Sequence, residues 1–452
     1  MKIIIVGAGE IGFYIADKLC REGKQVVLID NNNERLLSIE EHLDAQLIHG
    51  DGSSPELLKR AGIEQAEMLI AVSNCDEINL VACMIAQHFS SKTLKIARLR
   101  NPDYQRYPEV FKAFNVDLFI NPEYEACIKI ENLLAVAPAI DVVKFARGKV
   151  LLVGFRVEAT SLLAGSKLFN LGKLTPGYNP LVAAIYRGRD IIVPRGADQM
   201  LTGDVAYFAL LENELPKLLK LVGQKERPVQ KVMISGGSNT GLYLAQRLEK
   251  KGLTVKLIEP DPARCEELAD QLAFTTVLNG EGMDTELLEE ENVSGMDVFI
   301  ALSKDEEDNI LATLLAKSLG VPLGITLTNR LDYVSLVSAI GIDAAVSPQL
   351  AAVSRTMRFL RRGKVRSVEA IRAKNAEGIE FTALENSKAV GRPLKDISFP
   401  QGSLLIAIVK EDNVFIPSGD TIIEPGDGVV IFAMRKAIAK VEELFSVKFE
   451  YY

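Results

Sequence analysis

Over the first 120 residues, short runs of uninterrupted aliphatic side chains alternate with stretches whose apolar positions recur every three to four residues. IIIVGA, QVVLID, AQLIHG, MLIAVS, LKIARL and VDLFIN predict six strands, with amphipathic helices between them. Strands that are apolar at consecutive rather than alternate positions are covered on both faces, which implies a parallel sheet between helical layers. The expected fold class is α/β, a doubly wound Rossmann-like sheet. A longer helical segment follows, EYEACIKIENLLAVA. Beyond it the pattern changes to LLVGFRV, PLVAAIY, DIIVP and AYFAL, broken by Gly and Pro turns. This predicts a small β-rich α+β domain.

The whole pattern then repeats. IIIVGAGEIG at 3–12 corresponds to VMISGGSNTG at 232–241, NVDLFINPE to GIDAAVSPQ, and the Gly203-Asp204 turn to Gly426-Asp427. The second copy of the long helix reads PQLAAVSRTMRFLRRG. A self-similar chain of this length is economically read as two copies of a two-domain unit. The expected domains are 1–123 and 229–345, both Rossmann-like, with the small domains at 140–224 and 365–449. The polar stretch 216–230, with two prolines, is the expected linker between copies.

Candidate chemistry gathers at strand ends, where open α/β sheets bind ligands. Gly7, Gly9 and Gly12 follow the first strand and open a helix, and Asp30 ends the next strand. Gly7 permits the tight turn, Gly9 lets backbone approach a pyrophosphate, and Gly12 allows close helix–strand packing. The helix N-terminus offers unpaired N–H groups to phosphates. Asp30 would bind ribose hydroxyls and repel a 2′-phosphate, which disfavours NADP. In the second copy Gly236 and Gly241 hold the outer positions, Ser238 replaces the middle glycine, and Glu259 takes the acidic place. The Ser238 side chain would crowd a pyrophosphate, or its hydroxyl could donate to one. Asp51 and Glu281 follow the third strands, Ser73-Asn74 and Ser303-Lys304 the fourth. Arg98 lies at the fifth strand, where the second copy has Leu327.

Composition narrows the function further. The formal charge of -8 opposes nonspecific nucleic-acid binding, so no nucleic-acid partner is expected. Five scattered cysteines without CxxC spacing fit buried thiols in a reducing compartment, not a disulfide or zinc framework. The three histidines, His42, His49 and His88, all fall in the first hundred residues. No HExxH, GxSxG or GxxxxGK[ST] motif occurs, so neither a catalytic residue nor a metal site is expected. No apolar run reaches the ~18 residues of a membrane span. The expected location is therefore cytoplasmic.

The duplicated unit, with VGAGEIG, Asp30 and the paired Gly-Asp turns, resembles the RCK (regulator of potassium conductance) module with its RCK-N and RCK-C halves. Four halves in one chain resemble the regulatory subunits of bacterial Trk potassium-uptake systems. The resemblance implies binding of NAD(H) and adenine nucleotides, a tetrameric ring as homo-oligomer, and docking on an integral-membrane Trk channel subunit. The chain would then be peripheral on the inner membrane. By position it implies a first site of Gly7, Ala8, Gly9, Glu10, Ile11, Asp30, Ser73, Asn74 and Arg98 for NAD(H). It implies a second of Gly236, Gly237, Ser238, Asn239, Thr240, Glu259, Ser303 and Lys304 for ATP, ADP or NAD(H). The rival reading is a soluble NAD-dependent oxidoreductase with duplicated cofactor domains. The basic cluster Arg355, Arg358, Arg361, Arg362, Lys364 and Arg366 is expected to face anionic lipid or acidic channel loops, or to be a solvated helix face.

Overall fold

The computed structural model describes residues 2–101, 104, 114–137, 139–174, 178, 180–188, 190–224, 228–329, 333, 337, 340–360, 365–371, 376–411 and 413–445. The chain divides into two compact units. The first is built on residues 1–126 with 348–360, the second on 127–347 with 361–451.

In the first unit the aliphatic runs form β1 (Lys2–Val6), β2 (Gln25–Asp30), β3 (Gln46–His49), β4 (Met68–Ala71), β5 (Leu94–Arg98) and β6 (Leu118–Ile120). They make one sheet in the order β3-β2-β1-β4-β5-β6, with every neighbour parallel. Ile3, Ile4 and Ile5 are fully buried, as expected of a central strand covered on both sides. Helices α1 (Glu10–Arg21), α2 (Asn33–Glu40), α3 (Pro55–Arg60) and α4 (Asp76–Phe89) intervene. Asn32 caps α2 through the Arg35 amide, and Ser54 caps α3 through that of Leu57, each meeting a backbone donor the helix start leaves open.

Helix α5 (Pro122–Leu134) follows β6. The next strands are β7 (Asp141–Phe145), β8 (Val150–Arg156), β9 (Leu181–Arg187), β10 (Asp190–Ile192) and β11 (Val205–Leu211), an antiparallel sheet in the order β10-β9-β11-β8-β7. Helices α6 (Leu171–Leu174) and α7 (Leu215–Leu221) belong to this segment. Sequence patterning missed β7, because Asp141 and Lys144 interrupt its apolar run. Asp141 is nonetheless buried and accepts the Tyr207 hydroxyl and the Lys129 ammonium. The expected linker also begins as structure: α7 buries Leu218, Leu219 and Leu221.

The second copy repeats the plan. Strands β12 (Lys231–Ser235), β13 (Thr254–Glu259), β14 (Thr276–Asn279), β15 (Val298–Ala301), β16 (Leu323–Leu327) and β17 (Ala344–Val346) form a second parallel sheet, β14-β13-β12-β15-β16-β17. Its helices are α8 (Asn239–Glu249), α9 (Pro262–Gln271), α10 (Thr285–Glu290) and α11 (Glu306–Ser318), followed by α12 (Pro348–Leu360). Strands β18 (Val365–Ile371), β19 (Ala376–Thr382), β20 (Ser403–Lys410), β21 (Asn413–Phe415) and β22 (Gly428–Met434) close a second antiparallel sheet before α13 (Ile438–Phe445). The two small sheets share one core, in which Phe145, Tyr186 and Tyr207 join Ile371, Ile406 and Phe432. The Ala146 amide donates to Glu380 across it at 2.9 Å.

The helices after the sixth strands change places. Residues of α12 group with the first unit, where α12 packs against α1 and Arg355 pairs with Glu125. From Cys127 onward α5 groups with the second unit. There the buried Cys127 thiol donates to the Thr240 carbonyl, and Glu131 accepts Arg247 and Lys251. Arg355 is thus engaged within the first unit. Arg361, Arg362, Lys364 and the Arg366 side chain lie outside the described residues.

Candidate nucleotide-binding sites

Both glycine turns are built by the same constraints. Gly7 has φ +104° and Gly236 φ +109°, a left-handed conformation that side chains disfavour. A Cβ on Gly12 would lie 1.8 Å from the Gly7 carbonyl oxygen, and one on Gly241 2.1 Å from that of Gly236. Those glycines are required by the fold. Gly9 is not: its backbone is extended, at φ −66° and ψ −178°, and an added Cβ would meet nothing within 4 Å. The protein has no packing reason for glycine there. The space it leaves lies at the N-terminus of α1, where a diphosphate would rest.

Each turn is tied to its acid. The Asp30 carboxylate is buried; its Oδ2 accepts the Ala8 amide at 2.6 Å and its Oδ1 the Asn32 amide at 2.8 Å. Glu259 does the same work, taking the Gly237 amide at 2.7 Å and that of Asp261 at 3.1 Å. Both carboxylates are held at the C-terminal edge of the sheet by backbone donors. Arginines that sequence reasoning passed over stand beside them. Arg35 approaches Asp30 at 3.3 Å, whereas Arg264 turns its Nε to the Gly237 carbonyl at 2.9 Å and its Nη1 to Glu267.

The fourth strand ends in a second duplicated device. Asn79, fully buried, accepts the Ser73 amide and donates to the carbonyls of Ser73 and Arg98. Asn309 repeats this with Ser303 and Leu327. These asparagines lock the ends of β4 to β5 and of β15 to β16. An Asn in each copy, six residues after the strand-end serine, was the available signal. Arg98 is buried, with Nη1 donating to Asn74 at 3.0 Å and Nε without any partner. Burial lowers its pKa from the usual arginine value. Such an orphaned cationic donor fits an anionic ligand group.

Other residues do less. Asp51 accepts the amide and hydroxyl of Ser53, which hold its carboxyl below 3.8. His49 faces the Asn31 carbonyl at 3.1 Å. Ile11 is a core residue, and Glu10 opens α1. In the second copy a cavity of about 490 Å³ brings together Gly236, Gly237, Ser238, Glu259, Glu281, Ser303 and Lys304. Asn239, Thr240 and Gly241 form the first turn of α8 and do not line it. The Ser238 hydroxyl donates to the Leu302 carbonyl at 2.9 Å and receives the Gly241 amide, capping α8. Asp261, Arg264, Asp305 and Asp308 also line the cavity. Among the described residues, no group of three or more His, Cys, Asp or Glu is placed to hold a metal, and no helix is long and apolar enough to cross a membrane.

Two parallel sheets with glycine turns and strand-end acids, each followed by a small antiparallel sheet, define a tandem Rossmann-type module. The solved structure titled GsuK RCK domain shares this fold, with a TM-score of 0.58 at 16% identity over 98% of this chain and 95% of that one. The GsuK channel bound to NAD gives 0.58 at 16%, over 98% and 79%. The TrkA-N domain family matches residues 3–122 and 232–348, and the TrkA-C domain family residues 379–446. Trk system potassium uptake protein TrkA of Azorhizobium caulinodans is 37% identical over 100% of both chains. That of Vibrio alginolyticus is 38% identical over 98% of each. The chain belongs to the TrkA family of Trk system potassium uptake proteins.

Proposed function

We propose that the protein is a cytosolic nucleotide-sensing regulatory subunit that gates a membrane potassium-uptake channel of the Trk type. The observation that carries this reading is the duplicated cradle, an orienting acid fixed by the turn's own amide beside space that the fold does not fill. NAD(H) would lie over Gly9 in the first site. Asp30 would accept the ribose hydroxyls, the α1 amides would face the phosphates, and Arg98 would offer its unpaired Nε to an anionic group. ADP, ATP or NAD(H) would occupy the second. When bound, the nucleotide contributes charge and shape, not reactive chemistry.

Gating follows from differential affinity alone: a nucleotide held more tightly by one arrangement of a ring of these chains shifts the ring toward it. The TrkA names of the relatives and the NAD-bound GsuK channel support such a role; a tetrameric ring of these chains would dock on the cytoplasmic face of the membrane subunit. Reconstitution with the channel subunit in vesicles, followed by potassium flux while NADH, ADP and ATP are titrated, tests it. The expected outcome is saturable, nucleotide-dependent flux that Asp30→Arg shifts to higher NADH concentration. Flux indifferent to every nucleotide overturns it.

A further inference from the structure

The two sites are alike in backbone and unlike in charge. Five carboxylates line the cavity of the second, from Glu259, Asp261, Glu281, Asp305 and Asp308. Two cations stand against them, and one is spent: Arg264 is bonded to the Gly237 carbonyl and to Glu267, which leaves Lys304. At the equivalent places of the first copy stand Asp30, Asn32, Asp51, Cys75 and Ile78, with Asn74 for Lys304 and Arg98 for Leu327. With Arg35 beside Asp30, the first site sets two carboxylates against two arginines, whereas the second keeps a surplus of negative charge. Asp261 and Asp305 also cap α9 and α11. They are held in place by those helices and cannot swing clear of an anion.

A cleft lined by one sign of charge focuses its field on whatever enters. Bridging phosphates carry roughly one charge each, and a terminal phosphate adds about two. The oxidised dinucleotide offsets one of its charges on the nicotinamide ring. We infer that the second site is built for a nucleotide of low net charge, a dinucleotide without a terminal phosphate and best in its oxidised form, and that it discriminates against metal-free ADP and ATP. This deepens the nucleotide-binding reading above and rests on it. The Ser238 hydroxyl is bonded to the Leu302 carbonyl, so only its Cβ is left to crowd a dinucleotide, a penalty smaller than the charge discrimination and common to NAD+ and NADH.

Calorimetry on the full chain in metal-free buffer tests the inference, with NAD+, NADH, ADP and ATP as titrants at low and high salt. The second site is read in a background where Asp30→Arg weakens the first. NAD+ should bind there at least about tenfold more tightly than ADP at low salt, with ATP weaker still. High salt should compress that ratio, since screening shortens the reach of surface charge to ~3 Å at molar ionic strength. Asp308→Asn should compress it about threefold. ADP equal to or tighter than NAD+ at low salt, or a ratio that neither salt nor Asp308→Asn moves, overturns the inference while leaving nucleotide binding intact. Absence of all nucleotide binding overturns the underlying reading and this one together.

Discussion

Glu131 and Arg247, separated by 116 positions in the chain, form a two-point ion pair that Lys251 completes at 2.7 Å. Burial alone would raise the Glu131 carboxyl, but the hydrogen bonds and charges of Arg247 and Lys251 outweigh it and hold it below 4.5. A carboxylate so depressed stabilises the fold above its unfolded pKa, and the contribution fades as pH falls through the lower folded value.

Glu131→Gln should therefore lower stability at pH 7 by about 1–3 kcal/mol, less than for a fully buried pair because Lys251 is half exposed. Urea midpoints of variant and parent should converge as pH drops below 4.5. A constant gap across that range would mean that packing, not charge, is lost.

The glycine turn separates fold from ligand. Gly12→Ala forces a Cβ onto the Gly7 carbonyl and should destabilise by about 1–3 kcal/mol in thermal melts, with or without nucleotide. Gly9→Ser should melt like the parent and yet bind NADH about fivefold more weakly, a shift on the order of 1 kcal/mol. Equal melting penalties for the two would deny Gly9 its ligand role.

Asp30→Arg removes the acceptor for the Ala8 and Asn32 amides and the proposed ribose ligand. Calorimetry should show NADH binding at the first site weakened by about 1.5–3 kcal/mol, the range for charged hydrogen bonds. Unchanged affinity would remove Asp30 from the site.

Ser238→Gly deletes a helix cap at a cost of only a few tenths of a kcal/mol, because glycine is itself tolerated there. It also clears the Cβ from the phosphate space and should raise dinucleotide affinity at the second site by about 1 kcal/mol. The reverse, a large stability loss without a gain in affinity, would leave Ser238 with capping alone.

Most of the architecture could be read from the residues, and for one reason. A strand buried on both faces needs apolar side chains at every position, which no surface element imitates, so the central parallel strands stood out, while the edge strands β3 and β14, with polar exposed ends, were read from their place in the repeat. The glycine turns were legible because Gly7 and Gly12 answer to hard steric limits. Polar residues at work in the interior were harder. Asp141 broke the pattern of β7 while being bonded inside the fold, and Asn79 passes for the polar face of a helix until the strand ends it braces are in view. Within the Arg355 cluster, composition could not show that Arg355 itself pairs with Glu125.

The exchange of α5 and α12 means that the boundary of the repeat in sequence is not a boundary in space. A division of the chain between its two copies would part α5 from its partners Thr240, Arg247 and Lys251, and α12 from α1 and Glu125. Each half alone would leave one helix without the partners it has in the whole chain. What duplication doubled in the gene, folding has made indivisible.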